Sequence, residues 1–414
     1  MFSIAQEGDS GFLRVDVNSG FNQFPIEGAV VDISSQNEPD RIIEELTTDR
    51  SGQTEEITLP APSLELSLEP QDLQPYSEYQ ISVRAPGFEP VVIQGSEILA
   101  GQLSMQPIRM QPIEPGGTPV DVTIPEHTLY GIFPPKIPEA EIKPMNESGE
   151  IVLNRVVVPE FVIVHDGVPS DTTAPDYYIP YRDYIKNVAS SEIYATWPES
   201  ALVANILAIQ SFTLNRVYTE WYRNKGYNFT ITTSTAYDQK FVYRRNIFQS
   251  ISQLVDDIFD NYLSLPDVRQ PIFTQYCDGR RVSCPGWMTQ WGSCDLAERG
   301  YSSIEIIRHF YGSEMYINSA EEVEGIPSSW PGYNLDIGSY GQPVRTIQEQ
   351  LNTIASVYTA IPSVVVDGIY GENTQEAVRA FQRTFGLTAD GIAGRSTWYK
   401  ISQLYVALAG LAEF

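Results

Sequence analysis

Along the first hundred residues, apolar and polar positions alternate with a period of two. Gly11-Phe12-Leu13-Arg14-Val15-Asp16-Val17 and Glu27-Gly28-Ala29-Val30-Val31-Asp32-Ile33 read as strands, because side chains two apart share one face of a pleated ribbon. Leu64-Glu65-Leu66-Ser67-Leu68 and Tyr79-Gln80-Ile81-Ser82-Val83 predict two more, with turns at Thr48–Gly52 and Pro86-Gly87-Phe88. Short strands between such turns predict a β-sandwich over residues 1–111.

The pattern then breaks. Prolines 112, 115, 119, 125, 134, 135, 138 and 144, with Gly116-Gly117 among them, remove too many amide donors for helix or central strand. An extended connector is expected over 112–149, open to proteolysis. From 150 to 330 the period becomes mixed. Ile151–Val158 and Glu160–His165 predict strands, and three amphipathic helices are expected over Thr196–Trp221, Phe248–Leu263 and Ser303–Tyr311. Pro198 and Glu199 suit the first turn of the earliest of these helices. Over 331–414, Asp367-Gly368-Ile369-Tyr370-Gly371-Glu372-Asn373-Thr374 returns as Asp390-Gly391-Ile392-Ala393-Gly394-Arg395-Ser396-Thr397. Each copy predicts a glycine turn with its threonine capping the next helix. Between them, Gln375–Phe385 predicts a helix with Ala377, Val378, Phe381 and Phe385 inward. The fold class expected is multidomain α+β: sandwich, mixed α/β centre and helical tail.

Composition narrows the function. The formal charge of -27 disfavours nucleic acid, whose binding rests on basic residues neutralising phosphates. Met1–Asp9 has neither a basic start nor an apolar core, so no signal peptide is visible, and no apolar run is long enough for a membrane span. The three cysteines, Cys277, Cys284 and Cys294, leave open packed thiols, one local bridge, or a zinc set completed by His309.

Three segments carry resemblances. "Pro-Ile-x-Gly-Ala-x-Val", "Thr-Asp-x-x-Gly" and "Tyr-x-Ile-x-Val-x-Ala-x-Gly-Phe" resemble carboxypeptidase regulatory-like, transthyretin-type sandwiches. The tail, from Gly338-Ser339-Tyr340-Gly341-Gln342-Pro343-Val344 through both repeats to Trp398, resembles the three-helix peptidoglycan-binding domain 1 family. The centre resembles the stage II sporulation protein D and LytB amidase-enhancer family. It does so through Tyr184–Ile193, Trp197–Leu202, Ser234–Gln239, Gln275–Gly279, Met288–Gly292, Gly300–Ser302 and Ile306–Tyr311. The order of parts resembles spore cortex-lytic enzymes of the SleC type.

These resemblances imply a lytic transglycosylase, made as a zymogen, that degrades cortex peptidoglycan during germination. Glu192 falls at the family's catalytic acid. Gln210, Asp238, Gln239, Tyr276 and Gln290 are the implied substrate-binding residues, while Tyr237 and Trp291 are either sugar platforms or core. No cofactor or metal is expected, since one carboxyl can serve as acid and then as base. The implied partners are cortex glycan strands and an activating protease, in the spore cortex and coat region or the cell wall. The sequence departs from the family in placing Gln210 where arginine is usual. It also lacks a Gly-His-Gly before Met288, where Cys284-Pro285-Gly286-Trp287 stands. A non-catalytic, wall-binding amidase enhancer is therefore the alternative, and a zinc amidase using the cysteines a third.

Overall fold

The computed structural model describes residues 8–20, 24–114, 117–143, 153, 155–327 and 329–409. Most of the segment read for a leader, together with Pro115, Gly116, Pro144 and Ile151, lies outside these residues.

The N-terminal alternation does build two facing sheets. The first contains β1 (Asp9–Ser19), β4 (Ile57–Ala61) and β7 (Leu103–Met110); the second contains β2 (Val30–Ser35), β3 (Glu38–Thr47), β5 (Ser77–Arg84), β6 (Val91–Ile98) and β8 (Val120–Thr123). Leu13, Val15 and Val17 point inward from β1 and meet Val31, Ile33, Ile81, Val83, Val91 and Ile93, all fully buried. Leu64–Leu68 is not a strand. It forms a short helix, α1 (Glu65–Leu68), opened by Asp9 Oδ2 accepting the Leu64 amide at 2.8 Å. Tertiary docking overrides the alternation, because the Ser67 carbonyl accepts the Trp197 indole N–H at 2.9 Å.

The centre is a layer of helices flanked by a three-stranded sheet and short strand pairs. The helices are α2 (Tyr181–Glu192), α3 (Glu199–Tyr218), α4 (Gln249–Ile258), α5 (Gln290–Glu298) and α6 (Ser303–Tyr311). The strands are β9 (Val157–Val158), β10 (Phe161–His165), β11 (Asp176–Pro180), β12 (Ile231–Thr232), β13 (Ile247–Phe248), β14 (Asn261–Ser264), β15 (Tyr276–Cys277), β16 (Met288–Thr289), β17 (Tyr316–Ser319) and β18 (Glu322–Val323). The long helix is shorter than its periodicity predicted. Pro198 stands just outside α3 as N-cap, and the chain turns out at Glu220, whose φ is 46°. The second helix also ends early, because Asn261–Ser264 leaves it to pair antiparallel with β17.

The predicted connector is not free. Part of it is β8, parallel to β6, and residues 124–143 run as a strap across the centre. Apart from a turn in which Tyr130 and Gly131 donate to the His127 carbonyl, prolines keep the strap extended, and some of its amides bond outward: Ile137 N–H to the Ala236 carbonyl (2.7 Å) and Glu139 N–H to Gln275 Oε1 (2.8 Å). The sandwich is not separate either. β13 of the centre adds to β7, and Arg245 and Glu97, each about 1 % exposed, pair across the junction at 2.8 Å.

The tail forms α7 (Gln342–Ala355), α8 (Glu372–Thr384) and α9 (Arg395–Leu408) around Val344, Ile347, Leu351, Val378, Phe381 and Trp398. Ala377 also faces inward, while Phe385 is only partly buried. Thr374 and Thr397 do not cap the helices; glycines 371 and 394 hold those positions. The two hydroxyls serve a different device. Gln348 donates to Asp367 Oδ1, the Ile369 carbonyl and Thr374 Oγ1, and accepts the Gly368 amide. Gln382 repeats this set on Asp390, Ile392, Thr397 and Gly391. Each buried glutamine thus bridges the acceptors of one turn and takes its glycine amide, the same arrangement serving both copies of the eight-residue motif. The tail docks on the centre through Arg182, which donates to the Tyr399 carbonyl (3.1 Å) and Gln403 Oε1 (2.6 Å).

Candidate active site

Glu192 is the last residue of α2, and its side chain is 3 % exposed. Opposing influences act on its carboxyl. Burial raises its proton affinity and outweighs the rest, so the pKa stands above the ordinary glutamate value. The position at a helix C-terminus, where backbone carbonyls present negative charge, acts in the same direction. Against these stand the Lys136 ammonium, the Tyr276 hydroxyl donating to Oε2 at 2.5 Å, and the Lys240 amide donating to Oε1 at 2.7 Å. The carboxyl is therefore held in one orientation while its ionised form is disfavoured. That pairing of properties is what a proton donor needs.

The other residues named from the sequence divide into three groups. Tyr276 and Gln290 join Glu192 directly: Gln290 Nε2 donates to the Glu192 backbone carbonyl at 3.0 Å, and all three line one pocket. Gln239 stands behind. Its Nε2 donates to the Tyr276 oxygen at 3.1 Å and to the Ile209 carbonyl, while its Oε1 accepts from Tyr184 and Thr213. It orients the tyrosine that orients the acid. Asp238 is a staple: fully buried, it accepts from Arg216 Nε (2.8 Å), the Tyr222 hydroxyl (2.6 Å) and both donors of Thr232. Its carboxylate fixes the loop, and its backbone carbonyl accepts from Lys136, so the expected substrate contact of its side chain is corrected.

Gln210 is not brought to this place. It is fully buried and donates to the Ile258 carbonyl at 3.0 Å, tying α3 to α4. The long helix rotates that position away from Glu192, so the expectation of a substrate contact there is corrected. Trp291 packs tilted on Trp197, with ring centres 5.1 Å apart, and edge-on to Tyr194. Tyr237 lends its carbonyl to Arg216. Cys277 and Cys284 form a disulfide at the rim, and Cys294 is a buried free thiol, so the three sulfurs do not converge on one point. Among the described residues no group of three or more His, Cys, Asp and Glu side chains could hold a metal ion.

Sequence reasoning missed Lys136, which lies in Pro-Pro-Lys-Ile-Pro. Its ammonium donates to the Asp238 carbonyl and, at 3.4 Å, to the Thr235 carbonyl. It also sits 5.0 Å from the centre of the Tyr276 ring. The strap's Thr128, Gly131, Phe133, Pro134 and Lys136 form one wall of the pocket, opposite Glu192 and Tyr276. The space left is about 60 Å³, room for water and not for a sugar ring. The strap is anchored further along, where Arg216 grips Glu139 with two bonds of 2.7 and 2.9 Å and Lys143 pairs with Glu139 at 2.5 Å.

Among known proteins, a zinc D-Ala-D-Ala carboxypeptidase of Streptomyces albus G is 41% identical over 76 residues, which are 18% of this chain and 28% of the relative. The chain thus spans little more than a quarter of that relative's length. The solved SleB N-terminal domain is similar over 19% of this chain and 99% of its own, at 30% identity and a TM-score of 0.17. The Bacillus anthracis TIE protein aligns with 25% of the chain and 17% of its own, at 17% identity and a TM-score of 0.19. Residues 340–401 match the family described as "Putative peptidoglycan binding domain", so α7 to α9 carry a peptidoglycan-binding domain and associate the protein with the cell wall.

Proposed function

We propose that the protein is a peptidoglycan lytic transglycosylase of the spore cortex, held as a zymogen by its N-terminal part, with Glu192 as the catalytic acid. The observation that carries this reading is the Glu192 carboxyl itself: buried, raised in proton affinity and oriented by Tyr276 and Lys240 at a pocket wall.

The chemistry follows from that state. Protonated Glu192 gives its proton to the oxygen bridging N-acetylmuramic acid and N-acetylglucosamine, and the bond from that oxygen to the muramyl C1 breaks. Positive charge on the muramyl ring is taken up as its own 6-hydroxyl oxygen bonds to C1. The 6-hydroxyl proton passes to the Glu192 carboxylate, which regenerates the acid. No water is added, and a single carboxyl suffices. Hydrolytic glycosidases in contrast commonly use a second carboxylate. Tyr276 steadies the carboxylate between the two transfers.

The zymogen reading is supported by the strap, which fills the space a glycan needs, and by the tail, which keeps the groove near the wall. Removal of residues up to about 150 opens the groove. The test is mass spectrometry of cortex fragments digested by the processed protein and by its Glu192→Gln variant. Anhydro-muramic ends that vanish in the variant are expected. Water-added reducing ends, or unchanged products in the variant, refute the assignment; a fully inert processed protein points to an amidase enhancer.

A further inference from the structure

The place occupied by the Lys136 ammonium has a composition of its own. Two backbone carbonyls, of Thr235 and Asp238, accept from it; the faces of Tyr276 and Phe212 lie 5.0 and 5.5 Å away; the charges of Glu192 and Asp238 act on it favourably. The groups in contact with the nitrogen are carbonyl acceptors and ring faces, while the nearby Arg216 guanidinium, held by Asp238 and Glu139, acts against a positive charge. Carbonyl oxygens and ring faces stabilise positive charge, and in this cage they offset part of the cost of burying an ammonium, burial being the largest influence on Lys136 and lowering its proton affinity.

The cage walls come from the centre of the protein, while the lysine comes from the strap, 102 residues away from Asp238. Thr235 and Asp238 belong to a loop fixed independently of Lys136: the Asp238 amide donates to the Ser234 carbonyl, and its carboxylate holds Arg216, Tyr222 and Thr232. Gln239 and Glu192 fix Tyr276, and Phe212 is a fully buried part of α3. Apart from the two bonds of Arg216 to Glu139, these contacts do not involve the strap, so the walls persist when it leaves and the cage then stands empty beside the proton donor.

We propose that this cage is a cation subsite of the groove, taking a primary ammonium carried by the glycan, the amino group of a sugar that has lost its acyl substituent. Lys136 is its internal occupant in the uncleaved chain. The inference rests on reading the Glu192 pocket as a glycan groove. It adds that strands bearing free amines are preferred there and compete with the strap. An amide in the same place has no positive charge to offer the carbonyls and brings an acyl group that the two rings leave little room for.

Two experiments on the full chain test it. In the first, Lys136→Ala empties the cage, and propylammonium is added as a small occupant. A saturable rise of about 2–4 °C in the unfolding midpoint is expected in Lys136→Ala. No such rise is expected with n-propanol, in the unaltered protein, or in Lys136→Met, whose side chain fills the space. Equal responses to propylammonium and n-propanol, or equal responses in all three proteins, overturn the cage. If Lys136→Ala does not fold unaided, refolding yield with and without propylammonium gives the same decision. In the second, trypsin cleavage after Lys136 in the unaltered chain is timed with glucosamine tetramer, N-acetylglucosamine tetramer or a lysine-containing tetrapeptide. A severalfold acceleration by the glucosamine tetramer alone is expected. Acceleration by the peptide instead, or by both sugars equally, overturns the glycan assignment. Neither readout involves bond cleavage in the sugar, so failure here leaves the Glu192 product test standing, and the reverse.

Discussion

The Arg245–Glu97 pair joins the sandwich to the centre, and removing either half has different consequences at different pH. Both side chains are about 1 % exposed and 2.8 Å apart. Arg245 also donates to the Asn246 carbonyl and Ser191 Oγ, whereas Glu97 Oε1 has no partner. Glu97→Leu leaves a guanidinium buried without a counter-charge. It cannot shed its proton, so the cost is about 3–5 kcal/mol at pH 8 and no smaller at pH 5, where the raised Glu97 pKa adds to the stability of the unaltered protein. Arg245→Met leaves a carboxylate, which can be neutralised. Burial already raises the Glu97 pKa, the Arg245 charge being the main force lowering it, so the substitution raises it further. Between the unfolded and folded pKa values the native state then binds more protons than the unfolded state, and stability falls as pH rises. The variant is therefore close to the unaltered protein at pH 5 and weaker by several kcal/mol at pH 8. The double substitution costs less than either single one at pH 8, since two apolar side chains of similar volume leave no charge stranded. Urea unfolding followed by fluorescence at both pH values measures all four proteins. Equal cost of Arg245→Met at the two pH values, or a Glu97→Leu cost below about 1 kcal/mol, refutes the reasoning.

Four further outcomes are expected. Tyr276→Phe removes a donor to the Glu192 carboxylate, raising its pKa and moving the alkaline limb of the pH–rate profile upward; a downward move contradicts the assigned bond. Glu192→Gln removes a group whose folded pKa is raised, and with it a stability contribution lost as pH climbs above the unfolded value. Its unfolding midpoint should thus decline less than the unaltered protein's between pH 5 and pH 8, and an equal decline argues against a raised Glu192. Cys277→Ser opens a seven-residue separation and should cost about 2.5 kcal/mol in urea unfolding, with no further loss on adding a reductant. Gln382→Leu strips the second repeat of its clasp and should cost about 2–4 kcal/mol, together with wall binding in a sedimentation assay; retention of both excludes the clasp.

What the sequence made legible was local. Ser303–Tyr311 is a helix at the residues its periodicity predicted, because the apolar stripe of Ile306 and Ile307 and the Ser302–Glu305 capping box both act within one turn. The sandwich strands of Leu13–Val17 and Tyr79–Val83 were equally plain from alternation. Glu192, Tyr276 and Gln290 were named through a resemblance, and the fold does place them at one pocket. What was hidden depends on distant partners. Nothing in Glu65–Leu68 announces a helix, since Trp197 decides its place. Nothing in Pro-Pro-Lys-Ile-Pro announces that Lys136 reaches the acid's pocket, since its acceptors are about a hundred positions on. Gln210 shows the converse. A helix position can be right in register with a motif and still face the wrong neighbour.

The indole of Trp197 donates to a carbonyl of α1 in the sandwich while its ring is 3 % exposed. Separation of the sandwich from the centre would wet that ring and break its bond in the same step. The protein thus carries an intrinsic optical gauge of its own opening, a red shift in tryptophan emission timed against the appearance of product. With it, departure of the N-terminal part and the glycan cleavage proposed to follow it become two clocks that can be read in one cuvette.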